Sequence, residues 1–246
     1  MSERSQKVMV WWGAIMAIIY GLVLRFLLHM LPPPTARWSA AQIAQFYSEH
    51  SSEVRVGATI ASWTSAFFVP IAIVVAIQMY RHERGKPPVW SLLAAANGVI
   101  MSIFLVLPPL FWGVAAFTPG RPPEVTALMH ELGMLTLVTT DQYYIFMWVA
   151  VVVICLTPNT VVHSPFPRWF GYFTAWTALM FEAGAIAFLV RSGPFAWNGL
   201  LVFWSPLILF GAWIAVAATL LNKALNKQAA DSAAAKPVPM PAGAAR

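Results

Sequence analysis

The chain has 246 residues, of which 59% are hydrophobic and only 10% charged, with a net charge of +6 and a mean hydropathy of +0.69. Water-soluble domains run near 45–50% apolar and about 25% charged, so this chain lacks the polar side chains to cover a globule in water, and lipid is its expected solvent. No Lys/Arg run of the kind nucleic-acid binding uses is present, and the single cysteine, Cys155, excludes an intramolecular disulfide or a two-cysteine metal motif.

Crossing a bilayer takes about 20 predominantly apolar residues. Six windows qualify, at 8–31, 57–80, 89–114, 126–157, 169–190 and 197–221. They predict an all-α polytopic bundle of six transmembrane helices over residues 1–222. Arg4 and Lys7 precede the first window as in a secretory signal, but its apolar core is too long and no small-x-small cleavage site follows, so it reads as an uncleaved anchor. In the first loop, "SAAQIAQFYSEH" predicts an amphipathic helix over about 39–50 with Ser39 as N-cap. Ile43, Phe46 and Tyr47 fall at helical spacing. This helix either lies on the membrane surface or packs against the mouth of the bundle.

Proline clusters such as "GKPPVW", "TPGRPPE" and "SPFPRW" separate the windows, because proline lacks an amide donor and disfavours helix in the residue before it. By the same logic "VLPPLFWG" breaks the third span and "FWSPLILFG" the sixth, a likeness that hints at two related halves of three spans. The fourth window is long enough to tilt or protrude. Residues 223–246 end in an Ala/Pro-rich stretch without an apolar face, and disorder is expected there.

Orientation follows from Lys and Arg in the loops. One side would hold Arg4, Lys7, Arg81, Arg84, Lys86, Arg168, Lys223, Lys227, Lys236 and Arg246, the other only Arg37, Arg55, Arg121 and Arg191. Both termini are therefore expected in the cytoplasm. Trp11, Trp12, Trp38, Trp90, Trp112, Trp169 and Trp197 fall near window ends, as an aromatic belt at the headgroups would. Cys155 reads as a small buried hydrophobe.

Ionisable side chains inside a span cost about 2.5–3.5 kcal/mol on insertion scales. Three stand out: Arg25, Asp141 and Glu182. At about 100° per residue, His130, Gly133, Met134, Leu137, Thr140, Asp141 and Tyr144 form one stripe if the fourth window is a continuous helix. Such a stripe should face the bundle interior. Either these residues fix helix packing, or Asp141, Glu182, Arg25, His130, Thr140 and Tyr144 form a ligand or proton site.

Several chemistries find no support. "HELGM" at His130 has Met134 where a zincin needs its second histidine, and the five histidines, His29, His50, His82, His130 and His163, lack the clustered pairs of membrane di-iron enzymes. No nucleotide-binding loop or serine-hydrolase elbow occurs. No metal site and no cofactor is expected, apart from one b-type haem reading in which His29 and His130, both near the outer boundary, serve as axial ligands.

The stretches "FYSEHSSEVRVGATIASWTSAFFVPIAIVVAIQM" and "IFLVLPPLFWGVAAFTPGRPPEVTALMHELG" resemble a family of bacterial six-span membrane proteins. The resemblance covers the six spans without the tail. It implies a bacterial inner-membrane location and carries no activity or site residue with it. Two functional classes stay open. One is a membrane-embedded component that binds or transports a small apolar molecule, with Asp141, Glu182 and Arg25 as polar anchors. The other is a non-catalytic structural or accessory subunit that meets a membrane-protein partner through its aromatic-rich helices. A haem protein and an enzyme rank behind them, the latter because no complete catalytic constellation is visible.

Overall fold

A computed structural model describes residues 1–235 apart from Pro119 and Asn159. Every regular element among them is helical: α1 (Glu3–Phe26), α2 (Ala40–Glu49), α3 (Ser51–Thr64), α4 (Phe68–Tyr80), α5 (Val89–Phe117), α6 (Pro123–Thr139), α7 (Ile145–Leu156), α8 (Arg168–Glu182) and α9 (Ser205–Ala234). Four stretches are long and apolar enough to cross a membrane: Glu3–Phe26, Ser51–Tyr80, Val89–Phe117 and Leu200–Ala234. The other two expected spans are interrupted. Residues 126–157 divide into α6 and α7 around a 3-10 turn at Asp141–Tyr143, and α8 passes into 3-10 geometry at Ala183–Phe188.

Two expectations are corrected along the chain. Pro108 and Pro109 do not break the third span, since α5 runs through both. Proline leaves the carbonyl four residues back without its helical donor. For Pro109 that carbonyl belongs to Leu105, and the Tyr20 hydroxyl donates to it from α1 at 2.7 Å. A neighbouring helix has replaced the missing amide, as buried surroundings permit. The tail expected to be disordered is helical as far as Ala234; its Ala, Leu, Lys and Gln residues are strong helix formers, and Ala224 and Leu225 are buried while Gln228 donates to Gln78. Residues 236–246 of that expected tail lie outside the described residues.

Helix α2 forms as its sequence implies. Ser39 and Gln42 make a reciprocal capping box, which satisfies two otherwise free amides. Its apolar face packs against α6, with Ile43 and Tyr47 buried. The choice left open by sequence is thus decided in favour of packing.

The core is aromatic. Trp148 meets Trp213 edge-on at 4.8 Å, Phe170 stacks on Trp213 at 5.5 Å, and the Trp213 indole donates to Thr174 Oγ1 at 2.9 Å. Between lipid-solvated helices, association rests on such close packing and interhelical hydrogen bonds. Trp112 and Trp197 belong to the interior as well, a correction to their place in the expected belt; Trp11, Trp12 and Trp169 are exposed and fit it. Cys155 is buried, as expected.

One end of the bundle is tied by polar groups. Gln78 donates to Gln6 (2.8 Å) and accepts from Gln228 (3.0 Å) and Arg81 (2.8 Å), linking α1, α4 and α9. The buried Glu83 accepts from the amides of Trp90 and Ser91, each at 2.9 Å, and from the Ser91 hydroxyl. It thereby caps α5, whose own N-cap position is proline and offers no side-chain acceptor. His82 contacts Ser164 Oγ at 3.0 Å beside Phe166. Burial, with the Arg81 charge adding to it and Glu83 opposing it, pushes the His82 imidazole down to about 4. The unfolded chain, with histidine near 6.5, therefore takes up this proton first as pH falls. His82 contributes its full stability above pH 6.5 and loses it progressively towards pH 4. Melting temperatures in detergent across that window are expected to fall more steeply for the wild type than for His82→Gln; parallel curves would refute this.

Candidate functional site

The broken fourth segment has a local cause. Thr139 and Thr140 turn their hydroxyls back onto the carbonyls of Leu135 (2.7 Å) and Thr136 (2.9 Å), a habit that competes with regular helix bonding. Thr140 and Tyr144 then leave the α region, at φ −100° and −129° with ψ near 13° and 12°. The expected continuous stripe from His130 to Asp141 is therefore corrected: the 100° rule stops at Thr139. Burial nonetheless follows its members closely, with His130, Gly133, Met134, Asp141 and Tyr144 all buried.

Irregular backbone at membrane depth is tolerated only where protein or a cavity surrounds it. Three segments of irregular backbone converge here: the 3-10 turn at Asp141–Tyr143, the 3-10 stretch Ala183–Phe188, and the π-turn Leu200–Trp204 that leads into Pro206 and α9. Gly184 makes the closest of these approaches. A β-carbon there would sit 1.9 Å from the Val138 carbonyl oxygen and 2.7 Å from Asp141 Oδ2, so only glycine allows this junction.

Beside the junction lies a cavity of about 540 Å³ between α1 and α9, floored by α5, α6 and Phe181. Its walls are mostly apolar; the Tyr20 and Thr219 hydroxyls on them are spent on the Leu105 and Ala215 carbonyls, and the Tyr144 hydroxyl donates to Asp141 Oδ1. Small residues on facing helices, Ala14, Ala17 and Gly21 on α1 with Gly211 and Ala215 on α9, leave the space between the walls unfilled. A β-carbon at Gly21 or Gly211 would meet nothing within 4 Å. Such a volume suits a small-molecule pocket, which is commonly about 300–1,000 Å³ and mostly apolar with a few placed polar groups.

The expected site residues divide into four places. Asp141, Tyr144 and the half-buried Thr140 are together, and Glu182 joins them from α8, where its Oε2 accepts from Gln142 at 3.3 Å and its buried Oε1 has no hydrogen-bond partner among the described residues. Arg25 is not among them; it is exposed, with its guanidinium over the Phe26 ring at 5.5 Å. The expected Arg25 anchor is thus corrected, because α1 places it in its last turn, exposed and away from the junction. His130 sits under α2, where Nδ1 meets the Tyr47 hydroxyl at 3.0 Å and its ring faces Trp197 at 6.0 Å. Burial pushes the Tyr47 phenol up and keeps it neutral. His29 lies in a different cluster, with Glu53 and His50. Sequence reading missed Gly21, Gly211 and Ala215; small residues four apart on α9, at Gly211, Ala215 and Thr219, are the signal that marks them.

No protein-family model, no curated protein and no solved structure matches this chain, so the chemistry of the site rests on its own residues.

Proposed function

We propose that this chain is a multi-pass protein of the bacterial inner membrane that crosses six times, has both termini in the cytoplasm, and binds a small, mainly apolar molecule between α1 and α9. Placed end to end, α6 and α7 reach about 40 Å, enough for a hydrocarbon core of about 30 Å even with their break. Ser232 near the end of α9 hydrogen-bonds Glu3 at the start of α1 at 3.4 Å, which favours termini on one side, and the Lys/Arg distribution favours the cytoplasm for it.

The observation that carries the binding reading is the mostly apolar cavity with the hydrogen-bonded Asp141–Tyr144 carboxylate–phenol pair on irregular backbone. Discontinuous helices near the midplane are where membrane transporters place their ligand sites. The apolar body of the ligand would fill the slot in place of lipid. Asp141 supplies acceptor oxygens, so the favoured ligand ends in a hydrogen-bond donor such as a hydroxyl.

The test is a thermal shift in lipid nanodiscs with 1-dodecanol against dodecane. The alcohol is expected to raise the melting temperature more than the alkane for the wild type, and equally for Asp141→Leu. Equal shifts in the wild type would remove Asp141 from the site.

A further inference from the structure

A second cluster of ligating side chains stands apart from the cavity, where the end of α1 meets the α2–α3 corner. His29, His50 and Glu53 each offer a donor atom, and these atoms lie within 4.8 Å of one another. His29 Nε2 is in contact with Glu53 Oε2, and the two imidazole rings lie 4.4 Å apart between centroids. His50 and Glu53 are three residues apart at the start of α3, so they share a helix face.

Two features prepare these groups for a cation. His50 Nδ1 lies 3.0 Å from the Phe46 carbonyl. A carbonyl only accepts, so Nδ1 carries the hydrogen and Nε2 keeps its lone pair, the orientation that metal-bound histidines take from their outer partners. Phe46 also stacks on His50 at 4.9 Å and meets His29 edge-on at 6.4 Å, which fixes both rings. His29 itself is held at φ 55°. Helix α1 ends in a turn in which the Met30 amide reaches back to the Leu24 carbonyl at 2.9 Å, and glycine is the usual residue at the left-handed position of such a turn. A histidine there is worse than glycine for the backbone, so its imidazole needs another reason.

We infer that His29, His50 and Glu53 form a binding site for a late first-row divalent cation of the zinc class. Two imidazoles and one carboxylate are a ligand set that zinc and its neighbours accept, with a remaining position for water. Glu53 is 55% exposed, which gives the ion an entry path. Zinc–ligand distances of about 2.0–2.2 Å place tetrahedral donors roughly 3.3 Å apart, so the touching His29 and Glu53 atoms must open to admit the ion while any donors farther apart close on it, movements of about 1 Å within reach of partly exposed side chains. The bound ion would fasten the end of α1 to α3. This inference stands independently of the ligand cavity.

The full chain in detergent, stripped with a chelator, is titrated with Zn²⁺, and then with Co²⁺ as a spectroscopic probe. One equivalent per chain is expected, with a Co²⁺ visible band and an X-ray absorption signature of imidazole ligation. His29→Gly relieves the backbone and should fold, yet it is expected to weaken binding by about tenfold or more. Glu53→Gln should weaken it too. Binding to His29→Gly as tight as to the wild type, or a zinc spectrum without imidazole, would overturn the site. Failure of the wild type to bind either ion would overturn it as well.

Discussion

Gly184→Ala is expected to lower the melting temperature by about 10 °C, corresponding to a loss of about 3 kcal/mol. The added methyl would lie 1.9 Å from the Val138 carbonyl oxygen and 3.1 Å from its carbon. Those are backbone atoms at the end of α6, and they cannot rotate away as a side-chain tip can. Either α6 or the Ala183–Phe188 stretch must retreat, which also moves Asp141, whose Oδ2 would be 2.7 Å from the new carbon. The matched control is Gly211→Ala, where nothing stands within 4 Å. Relief of a helical glycine should raise stability there by up to about 1 kcal/mol. Equal melting temperatures for the two variants would show that the α6 junction is looser than described.

Filling the cavity should have the opposite character. Gly21→Phe and Gly211→Phe place a ring in open space on each wall, and phenylalanine is a better helix residue than glycine. The double variant is therefore expected to fold, with a melting temperature at or above that of the wild type, while the slot between α1 and α9 disappears. A fall of several degrees would mean that the helices already touch along this line.

Much of the fold was legible in the sequence because lipid imposes simple rules. Apolar length marks the segments, and α1, α5 and α9 lie within or across the expected windows. The departures arise where a residue's effect depends on a partner from another helix. Pro108 and Pro109 read as a break because nothing in the sequence shows that Tyr20 will serve Leu105. Asp141 was legible as unusual for its surroundings, but the turn containing it is made by Thr139 and Thr140 together with the close approach of Gly184. Arg25 read as a polar anchor on depth alone, and depth cannot say which way a side chain points. His29, His50 and Glu53 meet only because α1 ends where α3 begins, so spacing along the chain could not announce them.

The most direct measurement of the binding account is native mass spectrometry of protein purified in mild detergent, comparing the wild type with the Gly21→Phe/Gly211→Phe variant. A discrete small-molecule or lipid mass is expected on the wild type and not on the variant, at equal folded yield. The same mass retained by both, or by neither after gentle extraction, would contradict a ligand in the cavity between α1 and α9.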